Sequence, residues 1–136
     1  MRFVGIKFDK ISAERTEEPT KDSVTVNSNF NLGKVEKEKI NADSKKPIFG
    51  FEFTYSMEYD KFAAVVFKGK IFLEIEDKEM TKELEKSGTI QKENKELRKF
   101  ILDVVLARTH VEALHLEEKL GLPFHVQSPK VSFEKN

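Results

Sequence analysis

Every second residue from Phe49 to Tyr59 is aromatic or methionine: Phe49, Phe51, Phe53, Tyr55, Met57 and Tyr59 alternate with Gly50, Glu52, Thr54, Ser56 and Glu58. A two-residue period puts all six large side chains on one side of a pleated strand. The alternation resumes between Phe62 and Ile75, where Val65, Phe67, Ile71, Leu73 and Ile75 share one parity. The short link Tyr59-Asp60-Lys61 suits a tight antiparallel turn between the two runs. Gly69, inside the later run, marks a bulge or a close backbone approach. Upstream, Val4, Ile6 and Phe8 predict a strand over Phe3 to Ile11. Val24, Val26, Phe30 and Leu32, alternating with Thr25, Asn27, Asn29 and Asn31, predict another with one wet face. Ala13 to Asp22 is charged and contains Pro19, so it reads as a loop. Lys34 to Lys46 is dense in charge and ends at Pro47, which fits either a long hairpin arm or a loop.

After Ile75 the period changes. Glu76 to Lys92 has scattered apolar residues and reads as a short helix or an irregular crossover. Glu93 to Leu120 predicts one long helix, with Leu97, Ile101, Val104, Arg108, Val111 and Leu114 near one face. Phe100, Leu102, Val105, Leu106 and Ala113 spread over the other faces, and an all-round apolar helix is usually covered on more than one side. One sheet covers one side, so Phe100, Leu102, Val105 and Leu106 are candidates for an interface between copies of the chain. Gly121 is placed to end the helix, and Pro123 blocks its continuation. Strands followed by helix, rather than alternating with it, predict an α+β fold. The expected architecture is a single domain over residues 1–136: a four-stranded antiparallel sheet with the long helix packed across one face.

Charge changes the picture by exclusion. Lys plus Arg and Asp plus Glu number 24 each, so there is no basic excess of the kind that binds nucleic acid. No apolar run approaches the roughly 20 residues that span a bilayer. The opening Met1-Arg2-Phe3-Val4-Gly5 does not read as a secretory signal. With no cysteine there is no disulfide, thiolate metal site or cysteine nucleophile. The expectation is a soluble cytoplasmic domain.

Catalytic chemistry finds little support. His110 and His115 lie five residues apart, about 140° round a helix, so they cannot share a metal. Glu58 and Asp60 are near neighbours, but a chain with 24 acidic residues produces such pairs without design. No nucleophile elbow, phosphate-binding glycine loop or dinucleotide fingerprint occurs. The expectation is a protein that is not an enzyme and uses neither cofactor nor metal. Two apolar sets remain. Phe51, Phe53, Tyr55 and Met57 either form the core under the helix or line a groove tolerant of many apolar segments. The extended segment after Pro123, with Phe124, Val126, Val131 and Phe133, poses the same choice.

In this order, the chain resembles the SecB family of export chaperones and their relatives attached to toxin–antitoxin systems. Val66-Phe67-Lys68-Gly69-Lys70-Ile71-Phe72 is similar to the family's run at the end of the fourth strand. Arg108 sits about where the family carries a helical arginine. Gly121, Pro123, Pro129, Val131 and Phe133 resemble the family's tail, with the two prolines at its six-residue spacing. Lys130 is one residue more than that pattern, and the sequence stops at Asn136, before the family's final helix. SecB chaperones are usually acidic, whereas this chain is neutral. The resemblance implies a holdase without ATP, a homotetramer built as a dimer of dimers, holding unfolded client polypeptides in apolar grooves. An antitoxin or an export motor is the further partner it points to, although a neutral chain lacks the acidity that suits docking to a basic motor such as SecA. The alternatives are a dedicated chaperone or adaptor for one partner, and a small-molecule-binding α+β domain.

Overall fold

The computed structural model describes residues 1–16, 24–38, 46–90 and 94–123. Four strands, β1 (Arg2–Arg15), β2 (Val26–Glu38), β3 (Ile48–Tyr59) and β4 (Ala63–Glu74), precede helices α1 (Lys78–Ser87) and α2 (Lys95–Leu120). The strands form one antiparallel sheet in the order β1-β4-β3-β2, so the two runs of strongest alternation occupy its centre. All six residues of the aromatic stripe are buried, as are Val65, Phe67, Ile71 and Leu73 facing the same way. The helices place Leu84, Leu97, Ile101 and Val105 against that side. Gly50, Glu52, Thr54, Ser56 and Glu58 take the opposite side. This is an α+β fold in which, among the described residues, the helices cover one sheet face and leave the other open.

Irregular ladders account for what simple alternation misread. In β1, Phe3 pairs with Leu73 and Ile6 with Ile71, and a bulge between Phe3 and Gly5 switches the parity of the strand. Phe3, Ile6 and Phe8 therefore pack on the core, while Val4 is 42% exposed, contrary to the grouping of Val4 with Ile6 and Phe8. The strand also continues through Ala13 to Arg15, residues that read as loop, because the ladder to β4 holds their backbone. A second irregularity between Leu32 and Val35 turns Val35 inward and carries β2 on to Glu38, so the charged stretch begins as strand, while residues 39–45 of it lie outside the described residues. Gly69 opposes Phe8 next to the bulge between Phe8 and Lys10, and a Cβ there would lie 2.1 Å from the Lys7 carbonyl oxygen. The close approach expected of this glycine is real.

Helix α1 occupies the crossover. The Asp77 carboxylate accepts from the Glu79 and Met80 N–H groups at its start, and Gly88 closes it in the left-handed region. The Val35 N–H then donates to the Gly88 carbonyl, 2.8 Å away, tying this cap to β2.

Helix α2 buries Leu97, Ile101, Val105, Thr109, Ala113 and Glu117, a row of every fourth residue. Such a row drifts about 40° per step at 3.6 residues per turn, so the buried line winds roughly halfway round the helix. Winding explains why apolar residues occur on every face. It also corrects the face read as Leu97, Ile101, Val104, Arg108, Val111 and Leu114: Arg108 is exposed and Val111 is 58% exposed.

The far end of α2 is locked to the sheet. Gly121 adopts φ 64°, and its N–H donates to the Glu117 and Glu118 carbonyls. The Arg15 guanidinium donates to the Leu120 and Gly121 carbonyls at 2.6 and 3.1 Å and lies over the Phe62 ring. Beneath them, the Tyr59 hydroxyl donates to the buried Glu117 carboxyl. Burial, reinforced by this bond, holds the Tyr59 phenol well above its usual range.

Candidate functional site

A single helix cannot roof this sheet. Four strands about 4.8 Å apart span more than the roughly 10–12 Å width of a helix with its side chains. Helix α2 lies over β1 and β4, where Arg108 stacks on Phe3 with its guanidinium 4.9 Å from the ring centroid. Helix α1 meets β2 near Val35, and between it and α2 the described residues leave a groove of about 650 Å³ beside the middle of β2.

One wall of the groove is the middle of α2: Leu102, Leu106, Ala107, Thr109 and His110. The other is Ser28, Asn29 and Phe30 of β2 with Tyr55 of β3. Its floor is aromatic because β2 and β3 place large residues opposite one another. Phe30 pairs with Tyr55 across the ladder, and its ring stacks on Phe53 at 6.5 Å with 19° between planes. Tyr55 stacks in turn on Phe67 at 6.3 Å, which joins the floor to the core. The hydroxyl of Thr109 is spent inside the helix, donating to the Val105 carbonyl 2.8 Å away. The walls therefore offer mainly apolar surface with a few polar groups at the β2 rim. Among the described residues no three His, Cys, Asp or Glu side chains are arranged to hold a metal ion, and no helix is long and apolar enough to cross a membrane.

The residues singled out from the sequence divide between core and groove. Phe51, Phe53 and Met57 are closed under the helices and act as core, with only Tyr55 of that set reaching the groove wall. Val105, read as an interface candidate, is fully buried within the chain, because it belongs to the winding row that meets the sheet. Phe100 packs partly against the core. Leu102 and Leu106 flank the groove, and Leu106 is 36% exposed. Phe124, Val126, Val131 and Phe133 lie outside the described residues. Sequence reasoning missed Phe30 and His110 as groove residues. The available signal was that β2, with three asparagines on its polar side, reads as a strand at the margin of a sheet.

The comparisons with known proteins bear on this geometry. No protein-family model matches the chain, and no curated protein matches it either. Among solved structures, the chain is similar to the SecB-like chaperone Rv1957 of Mycobacterium tuberculosis, determined in complex with a ChAD peptide from the antitoxin Rv1956 HigA1. The likeness covers 98% of this chain and 92% of that one, with a TM-score of 0.50 and 12% identity. Four antiparallel strands, a crossover and a long helix, matched over almost the whole chain, give this protein a SecB-like fold.

Proposed function

We propose that this protein is a polypeptide-binding chaperone that takes up apolar segments of another chain in the groove beside α2 and shields them from aggregation. The observation that carries this reading is the partly roofed sheet: among the described residues, an aromatic floor with Leu102 and Leu106 beside it forms a groove of a kind that takes an extended chain. Holding a client requires exposed apolar area rather than reactive groups, and each well-buried apolar side chain is worth about 1.5–3 kcal/mol. Among the described residues β2 is an edge strand, so an extended segment can add to its outer side while alternate side chains enter the groove. Binding of this kind needs no nucleotide. The fold's likeness to a chaperone solved with a bound peptide supports the same reading.

Two forms of the function differ in breadth. A general holdase binds many unfolded chains. A dedicated chaperone protects one partner, and the antitoxin peptide on Rv1957 favours this narrower form. Several grooves on one homo-oligomer would hold a long unfolded chain by effective concentration. Light scattering from an unrelated, thermally unfolding client tests the proposal at equimolar subunits without nucleotide. Delayed scattering by the folded protein, lost in Leu106→Asp, is expected of a holdase. Protection of a single natural partner alone identifies the dedicated form. If the folded protein protects neither, the groove does not bind polypeptide.

A further inference from the structure

Three successive residues of α2 face three ways. Thr109 is buried against the sheet, and Arg108 and His110 flank it on opposite sides. At 100° per residue, Arg108 stands about 160° round the helix from both Leu106 and His110, which wall the groove. Whatever Arg108 grips therefore acts on the helix from the flank away from the groove.

It grips Phe3. The guanidinium lies 4.9 Å from the centroid of that ring, a separation at which a cation is drawn to an aromatic face. Phe3 is itself held in place: it is the ladder partner of Leu73, and the bulge between Phe3 and Gly5 leaves it on the covered side, packed on the core. From the other end of β1, Arg15 donates to the Leu120 and Gly121 carbonyls. Two arginines thus tie α2 to β1, one reaching from helix to strand at mid-helix and one from strand to helix at its end.

The groove supplies an opposing force. Leu102 and Leu106 line it on the helix side, with Phe30 and Tyr55 on the sheet side. Apolar surfaces so placed gain free energy by closing on one another and expelling water. A helix free to slide toward β2 would narrow the groove. We propose that Arg108 is a positioning residue: its grip on Phe3 holds the middle of α2 over β1 and keeps the groove wide enough for a polypeptide segment. This rests on reading the groove as the client site, but its width is measurable without a client.

The chain has no cysteine, so spin labels attach only where one is introduced. Asn31→Cys on β2 and Glu112→Cys on α2 are exposed positions outside the groove lining, and pulsed electron paramagnetic resonance reads the distance between their labels. Arg108→Ala is expected to shorten that distance by about 1–2 Å, the scale of helix shifts between packed arrangements. The same substitution should weaken binding of fluorescein-labelled, reduced and carboxymethylated α-lactalbumin, a permanently unfolded chain, by about two- to fivefold in anisotropy. Arg108→Lys keeps a cation over the ring and should restore both readouts. Phe3→Leu should reproduce both losses, and combining it with Arg108→Ala should add nothing further. A merely stabilising residue would lower the denaturation midpoint and leave the label distance and the affinity of the folded protein unchanged, and that result overturns the proposal. So does a change in Arg108→Ala that Arg108→Lys fails to restore. If the wild type binds no unfolded chain while Arg108→Ala still shortens the distance, the client reading of the groove fails and the positioning role of Arg108 stands.

Discussion

Tyr59 and Glu117 meet through a hydrogen bond inside the protein, joining the end of β3 to the last turn of α2. Both side chains are fully buried. Because Arg15 binds the next carbonyls along, this corner anchors the far end of the helix to the β3–β4 turn. Tyr59→Phe deletes the donor while keeping the ring, so the Glu117 carboxyl loses that partner in a place water does not reach. The expected loss is about 1–3 kcal/mol in chemical denaturation. A change of a few tenths would mean that the pair contributes little.

The same pair predicts a sign for alkaline pH. The Tyr59 phenol ionises less readily in the folded protein than its ordinary value near 10 would allow. The folded state thus keeps a proton that the unfolded state releases. Its contribution is fully present below about pH 10 and is lost as pH rises above that value. Denaturation midpoints measured from pH 9 to about 11.5 should therefore fall more steeply in the wild type than in Tyr59→Phe. Parallel curves would show that other groups set the alkaline limit.

Gly69→Ala isolates the bulge in β1. The added methyl carbon would sit 2.1 Å from a backbone oxygen of Lys7, which no side-chain rotation relieves. Separation of β1 from β4 is the only escape, and the expected cost is about 2 kcal/mol or more. The readout is the unfolding midpoint, together with faster amide exchange along β1 than along β3. Unchanged exchange in β1 would mean the strand accommodates the methyl by a different path.

Val105 and Leu106 are neighbours in sequence with opposite surroundings, one fully buried and one 36% exposed. Val105→Asp is expected to unfold the protein, because an unpaired carboxylate would lie between helix and sheet. Leu106→Asp is expected to keep the circular dichroism spectrum and stability within about 0.5 kcal/mol, as substitutions at exposed positions usually do. Comparable destabilisation by both would mean that Leu106 is also a core residue.

Val111 lies 58% exposed on the outer side of α2, with Leu106 also open. We expect Val111, on a different side of the helix from the groove residue Leu106, to contribute to contact between copies of the chain, giving a solution mass above the 15.7 kDa of one chain. Val111→Glu should lower that mass at micromolar concentration without loss of helicity. A wild-type mass of one chain would remove the oligomer from the proposed function.

The stripe from Phe49 to Tyr59 and the run from Val65 to Ile75 declare themselves because strands β3 and β4 are central and regular. Nothing interrupts their two-residue period, and a misplaced polar residue there would be buried. Gly121 and Pro123 likewise announce the end of α2, since a left-handed cap is a local requirement of the backbone. The fold class follows from those local rules. The inward turn of Phe3 and Val35 does not, because a bulge depends on the partner strand, and parity read along one strand cannot register it. The winding contact line of α2 is equally a property of two elements together, and it moved Val105 from a candidate interface into the core. The groove is the clearest case. Phe30, Tyr55 and Leu106 are separated by long stretches of chain, and only the placement of one narrow helix over β1 and β4 leaves them facing a common space. Periodicity reports which side of an element is apolar, but only packing decides which part of that side is left uncovered.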